Sequence, residues 1–302
     1  MKEKLKYNVI MGVLHAVAIL PLPVLYVFST CICFVMYRVL HYRKKTVERN
    51  LQLSFPEKTE RERKDIERRF YGHLCDCIVE TIKLLHISDE EIDRRVEVLN
   101  VDIVDELVAE GYSIVLYLGH YGNWEWVQAI ARHYKSHIVG GQIYKPLRDK
   151  VMDRVMLRIR SRFGLVSIPQ KKAFRALLGY KQQGKRFMIG FISDQRPNAQ
   201  VQHWTKFLNQ DAQYVTGGEE IGRRIGARYL YMDVEKVSRG HYRLTFKPVC
   251  PGEELMKEEY PYTLEFMRML EDNIRRAPAY WLWSHKRWKL RKPVTATTSG
   301  KA

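Results

Sequence analysis

Hydrophobic and polar residues follow two alternating patterns along the chain. Short apolar or alternating runs, bounded by Gly, Pro or polar residues, predict strands. Between them lie longer segments in which apolar residues recur every three or four positions, as in amphipathic helices. The predicted strands cover residues 96–99, 114–118, 137–142, 166–169, 187–192, 228–236 and 241–248, and residues 204–208 are predicted as strand or loop. The predicted helices cover residues 46–56, 59–85, 88–95, 101–110, 124–134, 146–164, 171–183, 214–226 and 261–276.

This alternation of strands and helices predicts an α/β fold with a mostly parallel sheet. Residues 228–236 and 241–248 predict an antiparallel pair that turns at Arg239 and Gly240. Thr59 and Glu62 have the spacing of a helix capping box. No long internal repeat or linker interrupts the pattern, so the chain is predicted to carry one large domain.

The N-terminal segment has a different pattern, because residues 7–37 contain no Asp, Glu, Lys or Arg. A helix of about 20 apolar residues crosses a bilayer. Pro21 and Pro23 interrupt the run, which predicts either two short helices or one kinked helix. We expect residues 1–45 to form a membrane anchor. A cleaved signal peptide and a buried core helix are the alternatives, and the apolar run beyond Cys31 argues against the signal peptide.

The charge balance of the chain predicts an anionic partner. The 302 residues include 51 Lys and Arg against 34 Asp and Glu, a formal net charge of +17. Such an excess suits a membrane surface, a phosphorylated substrate, an acidic protein or nucleic acid. The five cysteines lack the spacing of a zinc site, and we interpret them as free, buried thiols.

The stretch SIVLYLGHYGNWEW, residues 113–126, is the strongest candidate for chemistry. His120 follows a predicted buried strand, at the end of a parallel strand where ligands bind in α/β sheets. We expect Glu125 to fold back onto the imidazole, so that one ring nitrogen is fixed and the other acts as a general base. The alternative is a capping histidine beside a surface glutamate.

A second strand end carries polar residues. Asp194 and Gln195 follow the predicted strand 187–192, so they are expected on the same edge of the sheet as His120. A simple turn aspartate is the alternative. The Arg-rich helix at residues 146–164 is either an anion clamp near this edge or a solvated basic face.

Several motifs are missing from the sequence. It contains no G-x-S-x-G elbow, no Walker A loop, no G-x-G-x-x-G and no convincing cluster of metal ligands. A His and carboxylate pair without nucleotide or metal fits group transfer from an activated donor such as an acyl thioester.

The motif GHYGNWE resembles the catalytic H-x4-D/E signature of the bacterial lipid A biosynthesis acyltransferases, the late lauroyl and myristoyl transferases. The resemblance covers roughly residues 5–292 and implies an α/β/α acyltransferase fold with an N-terminal membrane-anchoring helix. It divides the chain into an anchor at 1–45, an acyltransferase catalytic domain at 46–292 and a disordered tail at 293–302. The other matching segments are VERNLQLSFPE at 47–57, YKPL at 144–147, SDQRP at 193–197 and the Trp-rich basic segment at 280–289.

The resemblance also implies roles for individual residues. His120 would be the base and Glu125 the orienting carboxylate, with Arg160 and Asp194 as further catalytic residues. Arg158 is the near alternative to Arg160. The expected substrate-binding residues are Asn123, Trp124, Tyr144, Arg158 and Gln195.

The implied reaction moves a fatty acyl chain from acyl carrier protein to a hydroxyl of a lipid A precursor. It needs no metal or cofactor beyond the carrier thioester, and its place is the cytoplasmic face of the cell inner membrane. The sequence departs from the family at Ser193 and Arg196, where the family has proline and a second acid, and at Glu219 and Glu220, where its T-G-x-A-x-L-A pattern is not kept. A lysophospholipid, an amino-acid lipid or a glycosylated phosphoinositide is therefore an alternative acceptor. A non-catalytic basic protein that binds membranes or nucleic acid is the other alternative, whereas the resemblance implies no nucleic-acid partner.

Overall fold

The computed structural model describes residues 2–197 and 203–290, so the tail predicted at 293–302 lies outside the described residues. Helices and strands alternate through most of this range, as the patterns predict. The α-helices are α1 Lys2–Ile19, α2 Leu22–Phe34, α3 Lys44–Ser54, α4 Glu60–Lys83, α5 Asp89–Arg95, α6 Asp102–Ala109, α7 Lys150–Arg160, α8 Ala173–Gln182, α9 Gly217–Ile225 and α10 Pro261–Arg276. Shorter helical segments are a π-helix at Val35–Val39 and 3-10 helices at Trp126–Arg132, Gln170–Lys172, Leu255–Lys257 and Pro278–Tyr280.

Seven of the nine strands in the described residues form one mixed sheet, which contains a parallel block of five strands. The strands are β1 Val96–Leu99, β2 Ile114–Leu118, β3 Val139–Tyr144, β4 Val166–Pro169, β5 Phe187–Ile192, β6 Trp204–Phe207, β7 Gln210–Gln213, β8 Arg228–Ser238 and β9 His241–Pro248. The order across the sheet is β1-β9-β8-β2-β5-β3-β4. Neighbours from β8 to β4 are parallel, whereas β9 is antiparallel to β8. The mostly parallel α/β sheet and its antiparallel pair are thus confirmed.

The hairpin of β6 and β7 lies outside that sheet and was only half predicted. The β7 sequence QDAQ is polar and has no strand pattern, so its extended conformation depends on pairing with β6. The segment predicted as a helix at 124–134 contains a 3-10 helix, Trp126–Arg132.

Local capping signals set several helix ends. The capping box of Thr59 and Glu62 is present at the start of α4, with both reciprocal hydrogen bonds. Ser88 caps α5 through its side chain. The cysteines are free, as predicted, but only Cys75 and Cys77 are buried, whereas Cys31 and Cys250 are exposed.

The N-terminal apolar segment forms two helices, α1 ending at Ile19 and α2 beginning at Leu22. This is one of the two arrangements predicted from Pro21 and Pro23. Polar side chains on α2 form hydrogen bonds with α4. Tyr26 donates to Glu80 over 2.8 Å, and Ser29 donates to Asp76 over 2.7 Å. Within the described residues, Leu22–Val39 is the one helical stretch that is long and apolar enough to cross a membrane, and 17% of it is buried in the protein.

Candidate active site

The ends of two neighbouring strands bring the principal site residues together. Strand β2 pairs with β5 in parallel, and Leu118 lies opposite Ile192. His120 and Asp194 each lie two residues beyond these positions, so their side chains meet at the carboxyl edge of the sheet. The Nδ1 atom of His120 lies 2.6 Å from Oδ1 of Asp194, and the backbone N–H of His120 donates to Oδ2 over 2.8 Å. The predicted proximity of the two strand ends is confirmed.

Asp194 is a buried, multiply bonded carboxylate. Its side chain is 2% exposed, and the indole N–H of Trp281 donates to Oδ2 over 2.8 Å. Burial by itself raises the pKa of Asp194, but the charge of His120 and the hydrogen bonds from His120 and Trp281 hold that pKa below the ordinary value of a carboxyl group. The site therefore keeps a negative charge against the imidazole at neutral pH.

The expected contact between Glu125 and the His120 ring was wrong. The carboxylate on the ring is that of Asp194, and Glu125 instead binds Arg160 at the end of α7. Arg160 donates from Nε to Oε2 over 2.9 Å and from Nη2 to Oε1 over 2.5 Å, a two-point contact. The physical reason is the chain path: Glu125 leads into a 3-10 helix and faces α7, while the neighbouring strand delivers Asp194 to the imidazole.

The second ring nitrogen of His120 faces outward from this pair. Because an ionised carboxylate only accepts hydrogen bonds, a neutral ring carries its hydrogen on Nδ1, and Nε2 is the acceptor that faces the amide N–H of Gln195. The side-chain nitrogen Nε2 of Gln195 lies 3.3 Å from Nε2 of His120. The ring of Trp124 approaches that of His120 edge-on, with centroids 5.3 Å apart. Gln195 and Trp124, both expected near substrate, thus both contact the His120 ring.

The turn that carries His120 is held from α4, which local sequence did not predict. Asn123 donates from its amide to the buried carboxyl of Glu80 over 2.6 Å and accepts from the backbone N–H of Trp126 over 3.0 Å. A ring nitrogen of His73 lies 3.1 Å from the carbonyl oxygen of Gly122. Asn123, expected to bind substrate, is 1% exposed, and its amide bonds these protein groups.

Gly122 meets a steric requirement of the same turn. Its φ is +58°, and a Cβ atom there would lie 2.5 Å from a methyl carbon of Val234. Both facts exclude a larger side chain unless β8 moves. The close approach keeps the turn against the sheet.

The remaining predicted residues lie on the Arg160 side of the site. Tyr144 ends β3; burial and Asp153 raise the pKa of its phenol, while the charge of Arg160 opposes that rise. Arg158 is exposed on α7, whereas Arg160 is half-buried against Glu125. The structure therefore selects Arg160, of the two arginines considered, as the one beside the motif.

A cavity of about 300 Å³ lies on the Gln195 side of His120. Gln195, which contacts His120, forms part of its lining. The rest of the lining comes from the N-terminal segment, from α4 and from the segment after Trp281. In the described residues, no group of three or more His, Cys, Asp or Glu is placed to hold a metal ion.

Residues that sequence reasoning missed are Glu80, His73 and the specific role of Trp281. Trp281 lies in the Trp-rich segment that the sequence had already singled out. Its hydrogen bond to Asp194 could not be predicted from that segment. Glu80 and His73 lie in an amphipathic helix whose charged residues are mostly solvated, and nothing in the local pattern distinguishes them. Their burial became visible only in the assembled fold.

Comparison with known proteins places the chain in a family. The family model for bacterial lipid A biosynthesis acyltransferases matches residues 3–290. The chain is 25% identical over 284 residues to the lipid A biosynthesis lauroyltransferase of Escherichia coli (strain K12), covering 93% of this chain and 90% of that protein. It is 24% identical over 293 residues, with the same coverage, to the palmitoleoyltransferase of that strain and to a lipid A biosynthesis acyltransferase of Shigella flexneri. The chain therefore belongs to the bacterial lipid A biosynthesis acyltransferase family.

Proposed function

We propose that this acyltransferase moves a fatty acyl chain from acyl carrier protein to a hydroxyl of a lipid A precursor. The observation that carries the proposal is the bond between His120 Nδ1 and the buried Asp194, which leaves Nε2 as a base beside a cavity. Family membership supports the acyl transfer. The reaction would take place at the cytoplasmic face of the cell inner membrane, where a charged carrier protein and a membrane lipid can meet.

In the proposed mechanism, Nε2 of His120 removes the proton of the acceptor hydroxyl as its oxygen attacks the thioester carbonyl. A tetrahedral oxyanion forms, and its collapse breaks the carbon–sulfur bond. The departing thiolate recovers the proton from the imidazolium, so an ester and a free carrier thiol are the products. The negative charge of Asp194 stabilises the imidazolium during these steps.

Arg160 is the candidate donor to the oxyanion. The backbone N–H of His120 is used by Asp194 and that of Gly122 by the carbonyl oxygen of Tyr280, so neither is free for this task. Arg160 keeps further N–H groups beyond the two that bind Glu125, and its side chain is 22% exposed. Glu125 would then act by positioning Arg160 rather than by orienting the imidazole.

The charge of the protein suits both substrates. A formal net charge of +17 attracts an acidic carrier protein as well as the phosphates of a glycolipid. The replacements at Ser193 and Arg196 bear on the acceptor, because both flank Asp194 at the site. A different membrane lipid with a free hydroxyl is therefore the second candidate acceptor.

The proposal is tested by transfer of labelled lauroyl or myristoyl groups from acyl carrier protein in detergent. Tetra-acylated lipid A precursor and total membrane lipids serve as separate acceptors. The wild type is compared with His120→Ala and with Asp272→Asn, a change at an exposed carboxylate of α10. We expect label in the precursor for the wild type and the control, and none for His120→Ala. Label found only in the total membrane lipids would show that the acceptor is another lipid. The proposal would be overturned if the wild type transferred label to neither acceptor.

A further inference from the structure

We propose that the cavity beside His120 binds the apolar chain of the lipid acceptor, and that the N-terminal segment forms one wall of this binding site. The inference rests on the proposed function and adds the identity of the group in the cavity. It also gives residues 1–45 a part in substrate binding besides membrane attachment.

The position of the cavity connects it to the reacting atoms. Gln195 belongs to its lining and also lies 3.3 Å from Nε2 of His120. A ligand that contacts Gln195 from inside the cavity is therefore separated from the nitrogen proposed as the base by the Gln195 side chain alone. The cavity of about 300 Å³ has room for a hydrocarbon chain rather than a whole glycolipid.

The chemistry of the lining suits an amphiphilic ligand. Its apolar members are Met36, Leu74, Ile78 and Leu282. Ile78 is 39% exposed, so the apolar lining reaches the protein surface. An apolar chain that enters at Ile78 would therefore contact hydrocarbon side chains of the lining.

Polar groups in the same lining can bind the oxygen atoms of such a ligand. Burial lowers the pKa of His285 to about 4, so its ring is neutral at pH 7. Within the described residues, Nε2 of His285 has no hydrogen-bond partner. A buried polar atom without a partner is uncommon in proteins and indicates a ligand or water at that point. An ester or hydroxyl oxygen of a lipid has the required chemistry.

The N-terminal segment supplies Met36, Tyr42 and Arg43 to this lining. The loop between the π-helix and α3, residues 40–43, has an unusual backbone. Arg43 and His41 have φ values of +52° and +47°, although neither is glycine. Such conformations persist where surrounding contacts hold them and cluster at binding sites. Here Tyr71 on α4 donates its hydroxyl to the carbonyl of Tyr42, and Arg43 donates to the carbonyl of Ser284. These hydrogen bonds hold the loop in place against α4 and the segment after Trp281.

The same segment indicates which substrate enters here. Large apolar side chains along α1, α2 and the π-helix are exposed, including Val9, Val27 and Phe34 at 58–64%. A surface of this kind fits the bilayer, where the lipid acceptor is dissolved. The acyl donor arrives from water on its carrier protein. A cavity whose wall continues into the membrane-facing segment therefore suits the chain of the acceptor rather than that of the donor.

The test narrows the cavity at its exposed edge with Ile78→Trp. Val237→Trp, at an exposed apolar position of β8 that does not line the cavity, is the matched control. We expect Ile78→Trp to raise KM for the glycolipid acceptor roughly tenfold, the scale of discrimination in an apolar pocket. The ratio of rates with lauroyl and myristoyl carrier protein is expected to stay at the wild-type value. Val237→Trp is expected to change neither quantity.

A changed lauroyl to myristoyl ratio with an unaltered acceptor KM would overturn the inference, because the cavity would then hold the donor chain. Unaltered values for both would overturn it as well. If Ile78→Trp does not fold, Met36→Ala enlarges the same cavity from the N-terminal side and is expected to change the acceptor KM alone. Absence of transfer by the wild type would instead contradict the proposed function, so the two failures can be distinguished.

Discussion

At the residue scale, chemistry depends on which carboxylate meets the imidazole. Asp194 is buried and bonded to His120 and Trp281, whereas Glu125 is committed to Arg160. The short motif was expected to contain both the base and the carboxylate that orients it. In the structure that carboxylate belongs to Asp194 instead. Asp194 fixes the ring of His120, and Glu125 fixes a guanidinium.

We predict that Asp194→Asn lowers kcat by about 10²–10⁴-fold, the usual contribution of an oriented general base. An amide leaves the His120 ring without a negative partner for the imidazolium. Steady-state transfer at saturating substrates measures the effect, with Asp272→Asn as the control. A kcat within twofold of the wild type would contradict the role of Asp194.

Asp194 should also make the free energy of unfolding depend on pH. The pKa of Asp194 is depressed in the folded protein, so its contribution is fully present above the unfolded value of about 3.9. That contribution is lost as pH falls through the lower folded pKa. Denaturant unfolding of the wild type between pH 3 and pH 6 should therefore show stability decreasing towards acid more steeply than in Asp194→Asn. Equal slopes would show that Asp194 is not the group responsible.

The Glu125–Arg160 pair predicts a non-additive mutant cycle. If Glu125 acts only by positioning Arg160, the double variant with Glu125→Ala and Arg160→Ala should lose no more kcat than Arg160→Ala alone. We expect each single change to cost roughly 10²-fold or more, the scale of one lost oxyanion donor. Losses that multiply in the double variant would indicate separate roles.

At the element scale, helix α4 supports the turn that carries His120. Glu80 is 0% exposed and accepts hydrogen bonds from Asn123 in the turn, Tyr242 on β9 and Tyr26 on α2. Burial raises the pKa of Glu80, opposed by Lys236 and by the hydrogen bonds from both tyrosines. One side chain thus connects the N-terminal helices, the sheet and the motif.

We predict that Glu80→Ala destabilises the protein by about 3 kcal/mol or more, because it leaves three buried donors without their acceptor. Tyr242→Phe removes a single bond and should cost about 1 kcal/mol. Glu80→Gln, which keeps an acceptor oxygen, should recover part of the loss. Denaturant unfolding in detergent gives the three values, with exposed Glu90→Ala as the control. Equal stabilities for Glu80→Ala and Glu90→Ala would exclude this role.

At the scale of the whole molecule, the excess of basic residues should govern the encounter with the acidic carrier protein that we propose as the acyl donor. We predict that kcat/KM for acyl carrier protein falls several-fold between low salt and 0.5 M salt, because salt screens long-range attraction. With saturating donor, kcat should hardly change. An uncharged acyl-pantetheine thioester is the control donor, and its kcat/KM should not depend on salt. The same salt dependence for both donors would exclude electrostatic steering.

The sequence by itself determined most of the elements and the edge of the sheet that carries His120 and Asp194. Apolar runs that end in glycine or polar residues marked β2 and β5, and parallel strands bring their carboxyl ends to one edge. His120 and Asp194 could therefore be assigned to that edge, because local hydrophobic periodicity and strand direction are properties of short segments. Helix ends at Thr59 and Ser88 followed from capping chemistry for the same reason.

Only the tertiary structure decided which side chains touch. Glu125 is five residues from His120 and Asp194 is 74 residues away, yet Asp194 holds the imidazole because β5 lies directly beside β2. The burial of Glu80 likewise depends on α2, α4 and β9 meeting around it, which no single segment encodes. Local pattern specifies which face of an element is apolar. Contacts between distant residues arise from the order and packing of the elements.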